Sequence, residues 1–172
     1  EAKPQRWNVP VIAQVVGNAP ATTIVSGGAG NMTLPGCGAV LVNAGQSGYY
    51  RVLYQPKMVE ALRTDFARLP AIDQVGVMGD SESLANADYQ SMAIPLSLLD
   101  AVPANASQRV IEDAVGSFAG YYELFKGDIK RQAQLAKITT KRFGSVLGNL
   151  GMVQKADEPL IQSNLRSSLI AS

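Results

Sequence analysis

Three kinds of residue in this sequence invite a chemical reading: glycines able to cradle a phosphate, a serine on a sharp turn, and carboxylates or a thiol able to hold a metal. Gly28 and Gly30 are followed by Thr33, and Gly36 and Gly38 by Leu41. A dinucleotide-binding loop instead needs a third small residue opening a helix, so that the pyrophosphate meets free backbone N–H groups. Both stretches therefore read as turns. Gly45-Gln46-Ser47-Gly48 has the outline of a nucleophile elbow, but Tyr49 stands where the second glycine belongs, so Ser47 reads as a turn residue. The sequence contains no histidine. Without imidazole, no Ser/His/Asp triad, Cys/His pair or H-E-x-x-H zinc site can form within the chain. Asp80 with Glu82, and Asp157 with Glu158, are the nearest carboxylate groupings. A calcium loop needs more oxygen ligands at regular spacing, so these acids read as helix caps and solvated charges. Cys37 has no partner cysteine and reads as a small buried apolar residue. Tyr121, Tyr122 and Phe125 recur at helical spacing and read as core. Asn31-Met32-Thr33 and Asn105-Ala106-Ser107 fit the glycosylation acceptor pattern, a short motif that often arises by chance.

Composition bounds the partners. The chain has 172 residues, enough for one ordinary domain or two small ones with a real core. Hydrophobic residues make up 47% and charged residues 17%, the latter below the usual share of about 25%, so much of the surface polarity must come from Gly, Ser, Asn, Gln and Thr. Fifteen Lys and Arg against fourteen Asp and Glu leave a net charge of +1, which gives no electrostatic footprint for nucleic acid or anionic lipid. Apolar stretches such as 9–16 and 39–42 fall far short of the roughly 20 residues a bilayer crossing needs, so no membrane span is expected. The chain begins at Glu1 with no initiator Met or leader and reads as an excised segment of unassigned compartment.

The elements that must position these residues follow from period. Trp7, Val9, Val11, Ala13 and Val15 alternate as on one face of a strand, and Gly17, Asn18 and Pro20 end it. Thr22–Val25 forms a second strand closed by Gly27 and Gly28, with a weaker extended piece over Met32–Leu34. Ala39–Asn43 is a third strand, Ala44–Gly48 a turn, and Tyr49–Tyr54 a strand whose two faces both touch protein. At Pro56 the period becomes helical. Val59, Leu62, Phe66 and Leu69 define one stripe. A second, weakly patterned helix runs from Asp73, taken as its N-cap, towards Asn86, and a third covers 96–102. The fourth follows the N-cap Ser107 with Ile111, Ala114, Val115, Phe118, Tyr121, Tyr122 and Phe125. Gly127 and Asp128 stop it and cap a fifth, whose stripe is Ile129, Ala133, Ala136, Thr140, Phe143, Leu147 and Leu150. The sixth starts near Asp157 and Pro159 with Leu160, Ile161, Leu165 and Leu169. The expected fold is mixed α and β: a small β-sandwich over residues 1–55, then an antiparallel α-helical array over 56–172 that breaks off near Ser172.

The run Asn43-Ala44-Gly45-Gln46-Ser47-Gly48-Tyr49-Tyr50-Arg51-Val52-Leu53-Tyr54 resembles the N-x-x-x-x-G-Y-Y-R-V-x-Y signature of the aminopeptidase N family, gluzincin zinc aminopeptidases that include the puromycin-sensitive type. Trp7-Asn8-Val9-Pro10-Val11 is similar to the W-x-V-P-V strand that precedes the signature. Leu62, Leu69, Asp73, Asp80 and Leu84 look like the family's opening helices after its β-sandwich. Leu147-Gly148-Asn149-Leu150-Gly151, Glu158 and Leu165-Arg166 resemble a later helix pair. The resemblance implies that the chain lies after the catalytic domain, so the family's zinc motif, catalytic glutamate and amino-terminus-binding motif fall outside it. It implies no catalytic and no metal-binding residue here. Trp7, Pro10, Asn43, Gly48, Tyr49, Tyr50, Arg51, Val52 and Tyr54 stand as structural members of the motif, with Arg51 expected to tie strands to helices. Two departures accompany the match: the strand that opens the family's sandwich is missing, and the family's helical domain continues beyond a position like Ser172.

The implied function is that of a non-catalytic connector and active-site cover in a parent enzyme that removes N-terminal residues from peptides. Zinc is expected in the parent and no cofactor in this chain. The expected partners are the missing catalytic domain, the remaining helices of the parent chain and, for the parent, peptide substrates. The alternative is a free-standing protein- or peptide-binding module.

Overall fold

The computed structural model describes residues 7–171. Glu1 and Ser172, on which the expectations about the chain ends rest, lie outside them. The chain divides into two compact units, Glu1–Ala101 and Val102–Ser172, and the mixed α and β class is the one expected. Among the described residues, no helix is long and apolar enough to cross a membrane.

In the first unit, β1 (Asn8–Val15) is the centre of a three-stranded antiparallel sheet, between β2 (Ala21–Ser26) and β3 (Val40–Val42). The register pairs Val9 with Val25 and Val11 with Thr23 on one side, and Ala13 with Val42 on the other. Pro10 is tolerated in this middle strand because β3 reaches only Ala13–Val15, so at Pro10 the missing N–H has no second neighbour to serve. The period-2 pattern is visible in burial: Ala13 and Val15 are buried, whereas Asn8 and Pro10 are exposed. Trp7, at the head of the alternation, is 70% exposed.

Two expected strands do not form. Residues 31–34 pair with nothing, and their half-buried Met32 and Leu34 belong to a loop in which Gly30 approaches Val25. Tyr49–Tyr54 joins no ladder: residues 49 and 50 lie in a bend, and the Val52 N–H donates to Asp80 instead of to a neighbouring strand. Cys37 is exposed in the glycine turn at 35–38, not buried as its residue type suggested.

The stripe that begins at Val59 is buried throughout, but two elements carry it: α1 (Pro56–Thr64) and a 3-10 turn at Phe66–Arg68. Next, α2 (Ala71–Asn86) starts two residues before Asp73, with Pro70 in the capping position. Its weak pattern has a physical cause: the buried side carries Asp73, Gln74 and Ser81 as well as Val77, Met78 and Ala85. In turn, α3 (Ala93–Ala101) begins three residues earlier than expected, with Pro95 in its first turn, where a missing N–H costs nothing.

The second unit holds three helices, α4 (Gln108–Leu124), α5 (Ile129–Leu150) and α6 (Leu160–Ala171). Ser107 Oγ accepts from the Val110 N–H at 3.4 Å, and Asp128 Oδ1 from the Arg131 N–H at 3.1 Å, so both expected N-caps are in place. Phe118 of α4 meets Phe143 of α5 edge to face, with centroids 6.3 Å apart. Tyr121 is buried, while Tyr122 and Phe125 are only half-buried, and Arg131 lies over the Phe125 ring. The α5 core face is turned from the expected one: Leu135, Thr139 and Phe143 are buried, whereas Ile129, Ala133 and Thr140 are exposed. On α6, Leu165 and Leu169 are buried, but Leu160 and Ile161 face solvent.

Candidate functional site: the 43–54 junction

The motif residues gather on one face of α2. At its start the chain reverses at Asn43, which is 2% exposed and adopts the left-handed conformation, φ 60° and ψ 37°. Asparagine tolerates that region better than most non-glycine residues. Its side-chain amide then imitates a strand partner. Oδ1 accepts from the Gly48 N–H at 2.8 Å, and Nδ2 donates to the Gly48 carbonyl at 3.1 Å. The enclosed Ala44–Gln46 segment forms one 3-10 turn, and the buried Asp73 of α2 accepts from the Gly45 N–H at 2.7 Å. Asp73 is thus a tether between helix and turn, not the helix cap expected from the sequence.

Two glycines are required by space. A Cβ on Gly48 would stand 2.8 Å from Asn43 Oδ1 and closer still to the Tyr50 ring, so the role of Gly48 is to admit its neighbours. A Cβ on Gly76 of α2 would enter the side-chain amide of Gln46, itself held at φ 53°.

Beyond Gly48 the chain bends and passes α2. Tyr50, Val52 and Tyr54 are half-buried, while Tyr49, Arg51 and Leu53 are exposed, so one face touches protein where two were expected. The Val52 N–H donates to Asp80 Oδ2 at 3.0 Å. Burial raises the pKa of Asp80 above the ordinary carboxylate value; the Val52 N–H and the positive charge of Arg51 oppose that shift without cancelling it. The Tyr54 hydroxyl accepts from the Val42 N–H at 2.9 Å and donates to the Val42 carbonyl at 3.2 Å, taking both polar groups of an edge residue of β3. Desolvation pushes the Tyr54 phenol far above its ordinary value, and that of Tyr50 upward as well. The Tyr50 hydroxyl is buried without a hydrogen-bond partner. An open groove of about 460 Å³ lies beside this segment, lined by Leu53, Pro56, Tyr89 and Ile94 with Gln90 and Ser91.

This arrangement binds chain to chain. Among the described residues, no three His, Cys, Asp or Glu side chains come together to hold a metal. Three acids of the motif region and of the later helix pair are engaged within the protein. Asp73 and Asp80 hold backbone N–H groups, and Glu158 is paired with Arg166, whose side chain is 4% exposed against 2% for Glu158. Arg166 also donates to the Gly151 carbonyl at 2.8 Å and the Leu150 carbonyl at 3.3 Å, closing the end of α5. Glu158 is therefore not the solvated charge expected from its sequence. The partnership could have been suspected only from the absence of any other charge on α6 near Arg166.

A family model described as ERAP1-like C-terminal domain matches residues 39–172, beginning just before Asn43. The chain belongs to this family. Membership in the ERAP1-like C-terminal domain family agrees with the motif's resemblance to the region after the catalytic domain of the aminopeptidase N family. The chain is similar to aminopeptidase M1 of Arabidopsis thaliana, 28% identical over 142 residues that cover 79% of this chain and 16% of that protein. It is also similar to puromycin-sensitive aminopeptidase of Caenorhabditis elegans, 27% identical over 181 aligned positions that cover 97% of this chain and 19% of that protein. It thus spans less than a fifth of the length of these curated relatives.

Proposed function

We propose that this chain is a non-catalytic segment of a zinc-dependent aminopeptidase that removes N-terminal residues from peptides, and that it serves there as a structural connector and a cover for the active site. In this reading the three-stranded sheet is one leaf of a β-sandwich within residues 1–55. The helices of 56–172 begin the C-terminal array, and zinc is held by the catalytic domain elsewhere in the parent. The observation that carries the reading is the junction itself: the Asn43 and Tyr54 side chains are hydrogen-bonded to the protein's own backbone, and Gln46 lies between Asn43 and Asp73 of α2. That is the chemistry of a joint between elements and leaves no group poised to attack a substrate. The groove lined by Leu53 and Tyr89 favours a second reading, a peptide-binding module, because it is concave and mostly apolar.

An aminoacyl p-nitroanilide assay separates the outcomes. The purified 172-residue chain is expected to show no turnover with added zinc, and the whole polypeptide encoded by its gene to show zinc-dependent turnover. Zinc-dependent hydrolysis by the 172-residue chain alone would overturn the proposal.

A further inference from the structure

The α5 helix carries two apolar faces, and the structure covers one. Leu135, Thr139 and Phe143 are buried. Beside them runs the stripe Ile129, Ala133, Ala136, Thr140, Phe143, Leu147 and Leu150, whose alternating steps of four and three are the seven-residue repeat of a helix seam. Yet Ile129 is 79% exposed, Ala133 and Thr140 are exposed, and Ala136 and Leu147 are only half-buried.

Four further observations describe what would fit there. The stripe holds no charge along its whole length, and the exposed surface of the adjoining α6 holds none either, since the only charged residue of α6, Arg166, is buried with Glu158. Between the two helices lies a depression of about 70 Å³ lined by Thr139, Thr140, Phe143, Gly144, Leu147 and Leu169, a hole of the kind a side-chain knob enters. A Cβ on the exposed Gly144 would meet only Thr140 Cγ2 at 3.8 Å, so nothing among the described residues accounts for a glycine inside this helix. Finally, Lys130, Lys137 and Lys141 flank the stripe in one row, all exposed and without a carboxylate partner among the described residues.

We infer that the α5 stripe and the depression at Gly144 are the docking seam for one further amphipathic helix of the same polypeptide, with an apolar heptad face and acidic residues along the edge that meets Lys130, Lys137 and Lys141. The inference rests on the reading of the chain as part of a longer aminopeptidase, whose relatives are at least five times its length. It adds the face, the register and the charge of the partner.

Thiol labelling tests it. In a Cys37→Ser background, Ala133→Cys, Gly144→Cys and the off-stripe control Ser145→Cys are each placed in the 172-residue chain and in the whole polypeptide, and maleimide rates are compared. All three sites are expected to react at similar rates in the 172-residue chain. In the whole polypeptide, Ala133→Cys and Gly144→Cys should slow by at least about tenfold while Ser145→Cys does not. Stripe cysteines that react in the whole polypeptide as fast as in the 172-residue chain would overturn the seam, and so would equal slowing at Ser145→Cys. Ala133→Cys keeps the test decisive should Gly144→Cys disturb folding. The zinc-dependent activity of the same whole polypeptide is measured separately, so loss of the aminopeptidase reading is distinguishable from loss of the seam.

Discussion

Replacing Asn43 tests the junction most directly, because two separable effects meet in one buried residue. Asn43→Ala removes the acceptor of the Gly48 N–H at 2.8 Å and the donor to the Gly48 carbonyl at 3.1 Å. Leaving such partly buried groups unserved costs about 1–3 kcal/mol. It also leaves alanine at φ 60°, a further cost of more than about 0.4–1 kcal/mol. Asn43→Gly loses the same bonds but fits the backbone. The expected losses are therefore about 2–4 kcal/mol for Ala and about 1–3 kcal/mol for Gly, a large part of the total stability of an ordinary domain. Urea unfolding followed by far-UV circular dichroism and by the fluorescence of Trp7, the single tryptophan, gives both values on the same chain. If Asn43→Ala unfolds within about 0.5 kcal/mol of the parent, less than one net hydrogen bond, the amide does not hold the turn and the reasoning fails. If Ala and Gly variants match, the left-handed backbone carries no cost.

Tyr54→Phe strips both partners from Val42 and is expected to cost about 1–3 kcal/mol in the same urea experiment, whereas an unchanged midpoint would mean that water replaces the phenol. Gly76→Ala should destabilise by about 1–3 kcal/mol through the Gln46 side chain, and adding Gln46→Ala should recover most of that loss; a strictly additive double variant would refute the clash. Asp80 has a folded-state pKa above its unfolded one, so its stabilising contribution is present below the unfolded value of about 3.9 and is lost as pH rises through the folded value. Asp80→Asn, which keeps an acceptor for Val52, is therefore expected to gain on the parent as pH rises from about 4 to 7, and a constant difference would contradict the burial argument. Glu158 has the opposite sign, because the Arg166 hydrogen bonds lower its pKa. Glu158→Gln should lower the melting temperature at neutral pH, with the gap closing as pH falls through the lowered value; a gap that persists in acid would show that charge is not what the pair contributes.

What the sequence revealed was local. The caps at Ser107 and Asp128, the buried stripe Val59, Leu62, Phe66 and Leu69, and the α4 stripe from Ile111 to Tyr121 depend on residues within one or two turns, and each is where spacing placed it. What it concealed depends on distant partners. Tyr49–Tyr54 has the alternation of a strand but joins no ladder, and its Val52 N–H finds Asp80, 28 positions away. The weak amphipathy of α2 concealed a helix that is central to the junction, because its buried side includes polar residues with distant partners: Asp73 serves Gly45, Gln74 the Phe66 and Leu69 carbonyls, and Ser81 Gln90. Asp73 showed helical placement but not its role, and Glu158 with Arg166 had no local signal of a buried pair. Conversely, the α5 stripe has the apolar residues that spacing picked out, but only Phe143 of them is fully buried, because the covered face of α5 runs beside it through Leu135 and Thr139.

The phenol that closes the edge of β3 also gives the sheet a direction. An unpaired strand edge is a template for adding another strand, from a neighbouring molecule as readily as from the same chain. With the N–H and carbonyl of Val42 already engaged by Tyr54, that position of β3 has nothing to offer an added strand, and β2 is the flank on which no phenol takes the backbone groups.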